Sequence, residues 1–322
     1  MVDAMTELGP SRDWIIAESS AAPKELSERL GVPKLIAQLL AQRGLEALGE
    51  AEDYLRPSLM GLHDPDLLPD MEAATERLEQ ALEAQESILL YGDYDVDGIT
   101  GAAVLQRVLR ALGGKVRAYI PDRFTDGYGI NSATLERILE AEEAALVVSI
   151  DNGCVAFDAA DLLDSRGIGF IVADHHRMDP ERLPKANAVI HPGRPDSAYP
   201  NKNLCGAGVA FKLAWATARR LSGGKKKLPA PLRELLLESM ALVAMGTVAD
   251  VVPLVGENRT LVRHGLRALE AGPTEGIAAL LKVSSPKLPL TAGAIGFRLA
   301  PRINAAGRLG AGQRALELLL CD

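Results

Sequence analysis

Three short, mostly apolar runs in this chain end in acid, and that repetition leaves few folds open to it. Ser87-Ile88-Leu89-Leu90 leads into Tyr91-Gly92-Asp93-Tyr94-Asp95-Val96-Asp97-Gly98. Ala145-Leu146-Val147-Val148-Ser149-Ile150 leads into Asp151-Asn152-Gly153, and Ile168-Gly169-Phe170-Ile171-Val172-Ala173 into Asp174-His175-His176. Such runs read as strands buried on both faces. After the first, Ile99, Ala102, Ala103, Leu105, Val108, Leu109 and Leu112 recur at helical spacing. Lys115-Val116-Arg117-Ala118-Tyr119-Ile120, ended by Pro121, is a further strand, and Ala188-Val189-Ile190 a fifth. Asn131 caps a helix between the second and third strands. Strands alternating with helices imply an α/β fold with a mostly parallel, doubly wound sheet. Parallel strands bring their carboxyl ends to one edge, where ligands of open α/β sheets bind.

Acids gathered at one edge repel one another unless a cation lies between them. Asp93, Asp95, Asp97, Asp151, His175 and His176 mix carboxylates with imidazole, a donor set that suits Mn²⁺ or Mg²⁺, with histidine favouring manganese. So many acids could hold two ions, one carboxylate bridging them, as phosphoryl hydrolysis uses. The EF-hand reading of Asp93, Asp95 and Asp97 fails. Its loop needs Glu eleven residues after the first Asp, and that place holds Val104.

Length and patterning suggest a helical lead-in over residues 1–86, a catalytic α/β domain over 87–225 and a helical continuation over 226–322. Asp70 is a candidate cap for a helix from Met71, Asn258 for one reaching Ala271, and Thr274 for one reaching Val283. The chain stops within an apolar helical pattern, Leu318-Leu319-Leu320-Cys321-Asp322, which reads as a truncated domain with an unused face. The net charge of −8 advertises no nucleic-acid binder, so any such function rests on a local groove. Three scattered cysteines without a CxxC motif suit reduced thiols in the cytoplasm. There is no run of membrane-spanning length and no basic, apolar leader.

Several groups are candidates to hold a substrate. Gly206-Ala207-Gly208 opens a helix whose first N–H groups could receive a phosphate. It is no dinucleotide fingerprint, since Phe211 stands where the third glycine belongs. Arg302, Asn304 and Arg308 lie in a glycine-rich stretch and suit phosphate contacts, as does Arg123. Tyr128 could stack a base or simply pack. Lys225-Lys226-Lys227 reads as an exposed connection.

Asp174-His175-His176 after an acidic first-strand motif resembles the DHH phosphoesterase superfamily. Within it, the chain resembles the RecJ family of single-strand-specific exonucleases. The motifs that carry this run in order from Leu62-His63-Asp64-Pro65 and Tyr91–Gly98 through Asp126-Gly127-Tyr128-Gly129 and Ser149-Ile150-Asp151-Asn152-Gly153. They continue with Leu204-Cys205-Gly206-Ala207-Gly208, Thr247-Val248-Ala249-Asp250-Val251-Val252-Pro253-Leu254 and Arg302-Ile303-Asn304-Ala305-Ala306-Gly307-Arg308. The resemblance implies Asp95 and Asp97 as metal ligands, Asp93 as a ligand or its support, and Asp151 as the bridge. It implies His175 and Asp250 at the second ion and His176 facing the scissile phosphate. Many superfamily members carry histidine where Tyr91 stands here. It further implies degradation of single-stranded DNA from 5′ to 3′ in recombination and repair. Single-strand-binding protein and a RecQ-type helicase follow as partners, and further substrate-binding domains beyond these residues. The alternatives are a DHH enzyme of short oligonucleotides or cyclic dinucleotides, and a non-catalytic DHH scaffold binding DNA or helicase. Scaffolds tend to lose ligands, and every acid and both histidines are present here.

Overall fold

The computed structural model describes residues 23–127, 129–224, 228–272 and 274–321. The chain divides into two units, Met1–Pro57 and Ser58–Asp322. In the first, helices α1 (Pro23–Leu30), α2 (Lys34–Ala41) and α3 (Leu48–Leu55) close over Leu26, Ala37, Leu40 and Ala51. Gly31 at φ 64° and Pro33 before α2 break what would otherwise be one helix.

The second unit opens with two 3₁₀ turns (Leu59–Gly61 and Pro65–Leu67) and α4 (Met71–Glu83), and then alternates: β1 (Ser87–Gly92), α5 (Val96–Ala111), β2 (Lys115–Tyr119), α6 (Ser132–Ala141), β3 (Leu146–Ile150), α7 (Phe157–Ser165), β4 (Gly169–Ala173) and β5 (Ala188–Ile190). All pairs are parallel, in the order β2-β1-β3-β4-β5. Alternate strand residues serve two cores. Ile88, Leu90, Val148, Ile150 and Ile171 face α4 and α5, whereas Leu89, Tyr91, Val147, Phe170 and Val172 face α6 and α7. This is why the strands read as continuous apolar runs. Each fully buried aliphatic side chain contributes about 1.5–3 kcal/mol. The fold is thus the doubly wound α/β sheet that the strand pattern implies.

The helices α8 (Gly206–Leu221), α9 (Ala230–Ala249), α10 (Gly256–Ala271), α11 (Glu275–Ser284), α12 (Ala292–Ala294), α13 (Ala300–Arg308) and α14 (Gly312–Leu320) follow, with a π-helical turn at Ile295–Leu299 between α12 and α13. Helices α5, α8 and α9 pack on one another, and the apolar faces of α8 and α9 join the core of the first sheet face. The divisions expected after residues 86 and 225 are therefore not where the chain parts. Residues 58–86 and 228–321 share one core with the sheet, and the break lies after Pro57. No described helix is long and apolar enough to cross a membrane.

Local capping expectations divide by where the partner lies. Asn131 caps α6 through Thr134 N at 2.9 Å, and Thr274 caps α11 through Ile277 N at 3.1 Å. Asp70 precedes α4 but does not cap it. Its carboxylate instead accepts from Val189 N at 3.0 Å and from Arg194 Nη1 at 2.5 Å, tying α4 to β5. Asn258 lies inside α10, where its amide donates to Asn203 O and Pro253 O. Nor is the apolar face of α14 unused, since Leu316 and Leu319 are buried in the common core.

Candidate metal centre

Gly92 of β1, Ile150 of β3 and Ala173 of β4 are in register across the sheet. The residues that follow them, Asp93, Asp151 and Asp174, therefore emerge side by side. The connections leave β1 and β3 in opposite directions, which opens a crevice between those two strands. Asp151 turns into it with φ 63°, a left-handed conformation that costs a non-glycine residue about 1–3 kcal/mol and clusters at functional sites.

The acidic turn after β1 starts α5. Asp95 is its N-cap, accepting from Asp97 N at 2.9 Å and Gly98 N at 3.2 Å. Asp93 accepts from Tyr94 N at 2.7 Å. Burial, and then Asp95, pushes the Asp93 carboxyl up to about 6. Asp95 is raised by burial and by Asp97. Asp151 is raised well above the usual carboxylate range by burial and by the neighbouring acids.

Asp97 reaches away from this turn. Its carboxylate accepts from Gly206 N at 2.6 Å and Ala207 N at 2.9 Å, so it caps α8 from another element. At the N-terminus of α8, where the sequence suggests a phosphate seat at Gly206 and Gly208, the N–H groups of Gly206 and Ala207 are thus already taken by a side chain of the protein itself. Gly206 serves close approach, since a Cβ there would lie 2.4 Å from Asp151 Oδ1, and a Cβ at Gly208 would meet Leu204.

His175 Nε2 lies 3.1 Å from Asp151 Oδ1, 3.6 Å from Asp97 Oδ2 and 3.7 Å from Asp250 Oδ2. Despite those distances, His175 Nε2 and Asp151 Oδ1 are buried and neither makes a hydrogen bond. Asp250 arrives at the C-terminus of α9, and burial, then Asp97, pushes its carboxyl up to about 6. Ligand-type atoms of Asp93, Asp95 and Asp151 lie within 4.8 Å of one another; so do those of Asp97, His175 and Asp250, and those of Asp151, His175 and His176. Like charges buried together, with two orphaned donor atoms among them, fit divalent cations held by hard oxygens and imidazole.

His176 has a separate anchor. Its Nδ1 is 2.8 Å from Asp174 Oδ1, and that bond pushes the imidazole up to about 9. Asp174 is nearly fully buried, which opposes its charge. Hydrogen bonds from the His176 ring and from Cys154 N outweigh burial and hold its carboxyl well below the usual range. The backbone N–H groups of His175 and His176 donate to the same carboxylate. Sequence reasoning missed His191. Its Nδ1 accepts from Gly193 N, which leaves Nε2 to donate to His176 O at 2.7 Å. Fifteen residues separate it from His176, and only the return through β5 brings the two together.

Among the substrate candidates, the Arg123 guanidinium sits 5.4 Å from the centre of the Tyr94 ring, and the charge of Arg308 also acts on that phenol. Arg302 and Arg308 are exposed on α13, the former donating to Arg298 O at 2.5 Å. Asn304 is turned inward and its Oδ1 accepts from Val96 N at 3.1 Å, an engagement in place of the expected phosphate contact. Tyr128 and Lys225, Lys226 and Lys227 lie outside the described residues.

A doubly wound sheet with this donor set at its switch point defines a class of α/β scaffold whose sheet edge is built to hold divalent cations. Residues 87–247 match the DHH family, N-terminal domain. The chain belongs to that family. It is 42% identical over 308 residues to the single-stranded-DNA-specific exonuclease RecJ of Dickeya dadantii, covering 94% of this chain and 52% of that protein. With the protein of the same name from Bacillus subtilis it shares 38% over 300 residues, 93% of this chain and 36% of the relative. The crystal structure of RecJ in complex with Mn²⁺ from Thermus thermophilus superposes with a TM-score of 0.76 at 37% identity, over 94% of this chain and 41% of that one. The chain thus spans between about a third and about half the length of these curated relatives.

Proposed function

We propose that this chain is a metal-dependent phosphodiesterase that removes nucleotides from the 5′ end of single-stranded DNA, in the cytoplasm, with two Mn²⁺ or Mg²⁺ ions. The observation that carries this reading is the pair of buried, unbonded atoms, Asp151 Oδ1 and His175 Nε2, inside a ring of carboxylates. The relatives that share the motifs in order supply the substrate class. Single-strand-binding protein and a RecQ-type helicase are partners that the resemblance alone suggests.

Asp93, Asp95 and Asp151 would hold one ion, and Asp97, His175 and Asp250 the other, with Asp151 shared between them. When bound, such ions supply Lewis acidity and a nucleophile at neutral pH. The protein's own groups do the rest. Asp97 is held rigid by the α8 N–H groups, so its orientation is set before any ion arrives. His176, kept cationic by Asp174, offers positive charge to phosphoryl oxygens as their charge grows. Arg123, Arg302 and Arg308 are the cations this reading assigns to the phosphates of the DNA strand, and from the sequence alone Tyr128 is its candidate to stack a base.

The test is a 3′-labelled, 5′-phosphorylated single strand, with duplex and dinucleotide controls and Asp151→Ala in parallel. Release of 5′ nucleotides only with Mn²⁺ or Mg²⁺, and only by the unmutated chain, is the expected result. Cleavage of the dinucleotide alone would overturn the substrate assignment.

A further inference from the structure

The helix α5 leaves the N–H groups of its first turn to be satisfied from outside the helix. Asp95 Oδ1 takes two of them, Asp97 N and Gly98 N. The third, Val96 N, is taken by Asn304 Oδ1 from α13, 208 residues further along the chain. Gly307, one turn on from Asn304, completes the contact. A Cβ there would lie 2.0 Å from Tyr94 O, so only glycine lets α13 approach this closely. Asn304 and Gly307 thus press on the middle of the turn that carries Asp93, Asp95 and Asp97.

We propose that Asn304, seated by Gly307, is a positioning residue for this acidic turn: it occupies Val96 N–H, and so leaves the second oxygen of Asp95 free for a cation. The inference rests on the metal reading above and adds a residue to it. Without Asn304, Val96 N–H needs another acceptor, and the Asp95 carboxylate, which already takes the next two N–H groups of the turn, would be drawn into competition between that N–H and the cation. Metal sites are commonly tuned in this way by the groups that orient their ligands.

The same segment supplies an internal control. Gln313 Oε1 accepts from Ile120 N at 3.2 Å, a bond of the same kind at the end of β2, which carries no acid of the cluster. Three variants, Asn304→Ala, Asn304→Asp and Gln313→Ala, are compared in two measurements on the whole chain. One is amide hydrogen exchange over residues 93–99 without metal, and the other is Mn²⁺ affinity by titration.

Asn304→Ala should speed exchange at 93–99 by about tenfold or more and weaken Mn²⁺ binding by about 10–100-fold. Asn304→Asp, which keeps the acceptor, should restore slow exchange. Gln313→Ala should leave both readings near those of the unmutated chain. Unchanged exchange in Asn304→Ala would overturn the proposal. So would a Gln313→Ala variant that loosens the acidic turn and weakens Mn²⁺ equally, because the effect would then be one of general stability. Should the unmutated chain bind no Mn²⁺, the reading of the metal centre falls, and the exchange result still decides whether Asn304 holds the turn.

Discussion

Two places in the second unit bury charge, and they handle it in opposite ways. Lys212 of α8 and Glu257 of α10 are wholly enclosed, with Nζ 2.6 Å from Oε1. Lys212 also donates to His63 O at 2.6 Å, and Glu257 accepts from His63 N at 2.9 Å and Tyr199 OH at 2.7 Å. Charge there is balanced and each atom of the pair has a partner. At the edge of β1, β3 and β4, five carboxylates (Asp93, Asp95, Asp97, Asp151 and Asp250) gather with two imidazoles, and Asp151 Oδ1 and His175 Nε2 are left unbonded. A closed, neutral network straps elements together. An open, negative one stores repulsion that a cation relieves. Burial of charge alone would not tell the two apart; balance of charge and satisfaction of hydrogen bonds do.

The contrast can be broken most forcefully at Asp151. Asp151→Ala is expected to lower metal-dependent cleavage by at least about 10³-fold while leaving the metal-free protein as stable or more so, since a repelling charge is removed. Cleavage rate and thermal melting without metal check the two halves. Lys212→Met should do the reverse. It strands Glu257 in the core, costs about 3–5 kcal/mol by urea unfolding, and spares Mn²⁺ affinity per folded molecule. Replacing Lys212 and Glu257 together by apolar residues should cost less than either single change, a coupling that a double-mutant cycle reads out.

Asp174→Asn is a finer probe. The His176 imidazole should fall from about 9 toward its ordinary value in an NMR titration, with cleavage reduced about 10–100-fold. The smallest effect concerns pH. Asp93 and Asp250 are raised to about 6 in the folded chain, so the stability they contribute is full below about 4 and lost as pH rises through about 6. The stability from His176 is likewise full below its ordinary range and lost as pH passes about 9. Mn²⁺ competes with protons for the carboxylates, so its stabilisation should grow from pH 5 to pH 7.5. A shift in melting temperature that is equal at both values would show that these acids are not where the ion binds.

The strands and the acids at their ends were legible in the sequence because both are local, and the alternation of strands with helices implied a mostly parallel sheet; the strand order came only from the structure. A period-two run fully buried on both faces has an apolar signature, and the residue after it must lie at the sheet edge. That local logic reached Asp93, Asp95, Asp97, Asp151, His175 and His176. Asp250 was legible only through resemblance, since it ends a helix outside the sheet. The tertiary structure alone decided which groups those acids answer to. Asp97 caps α8, Asp70 ties α4 to β5, Asn258 braces a loop, and Asn304 holds Val96 N. In each case a short polar side chain could have bonded its own backbone, and a distant donor or acceptor took it instead. Hydrogen-bond demand is written in the sequence, but the partner that meets it is chosen by which elements the core brings within about 3 Å.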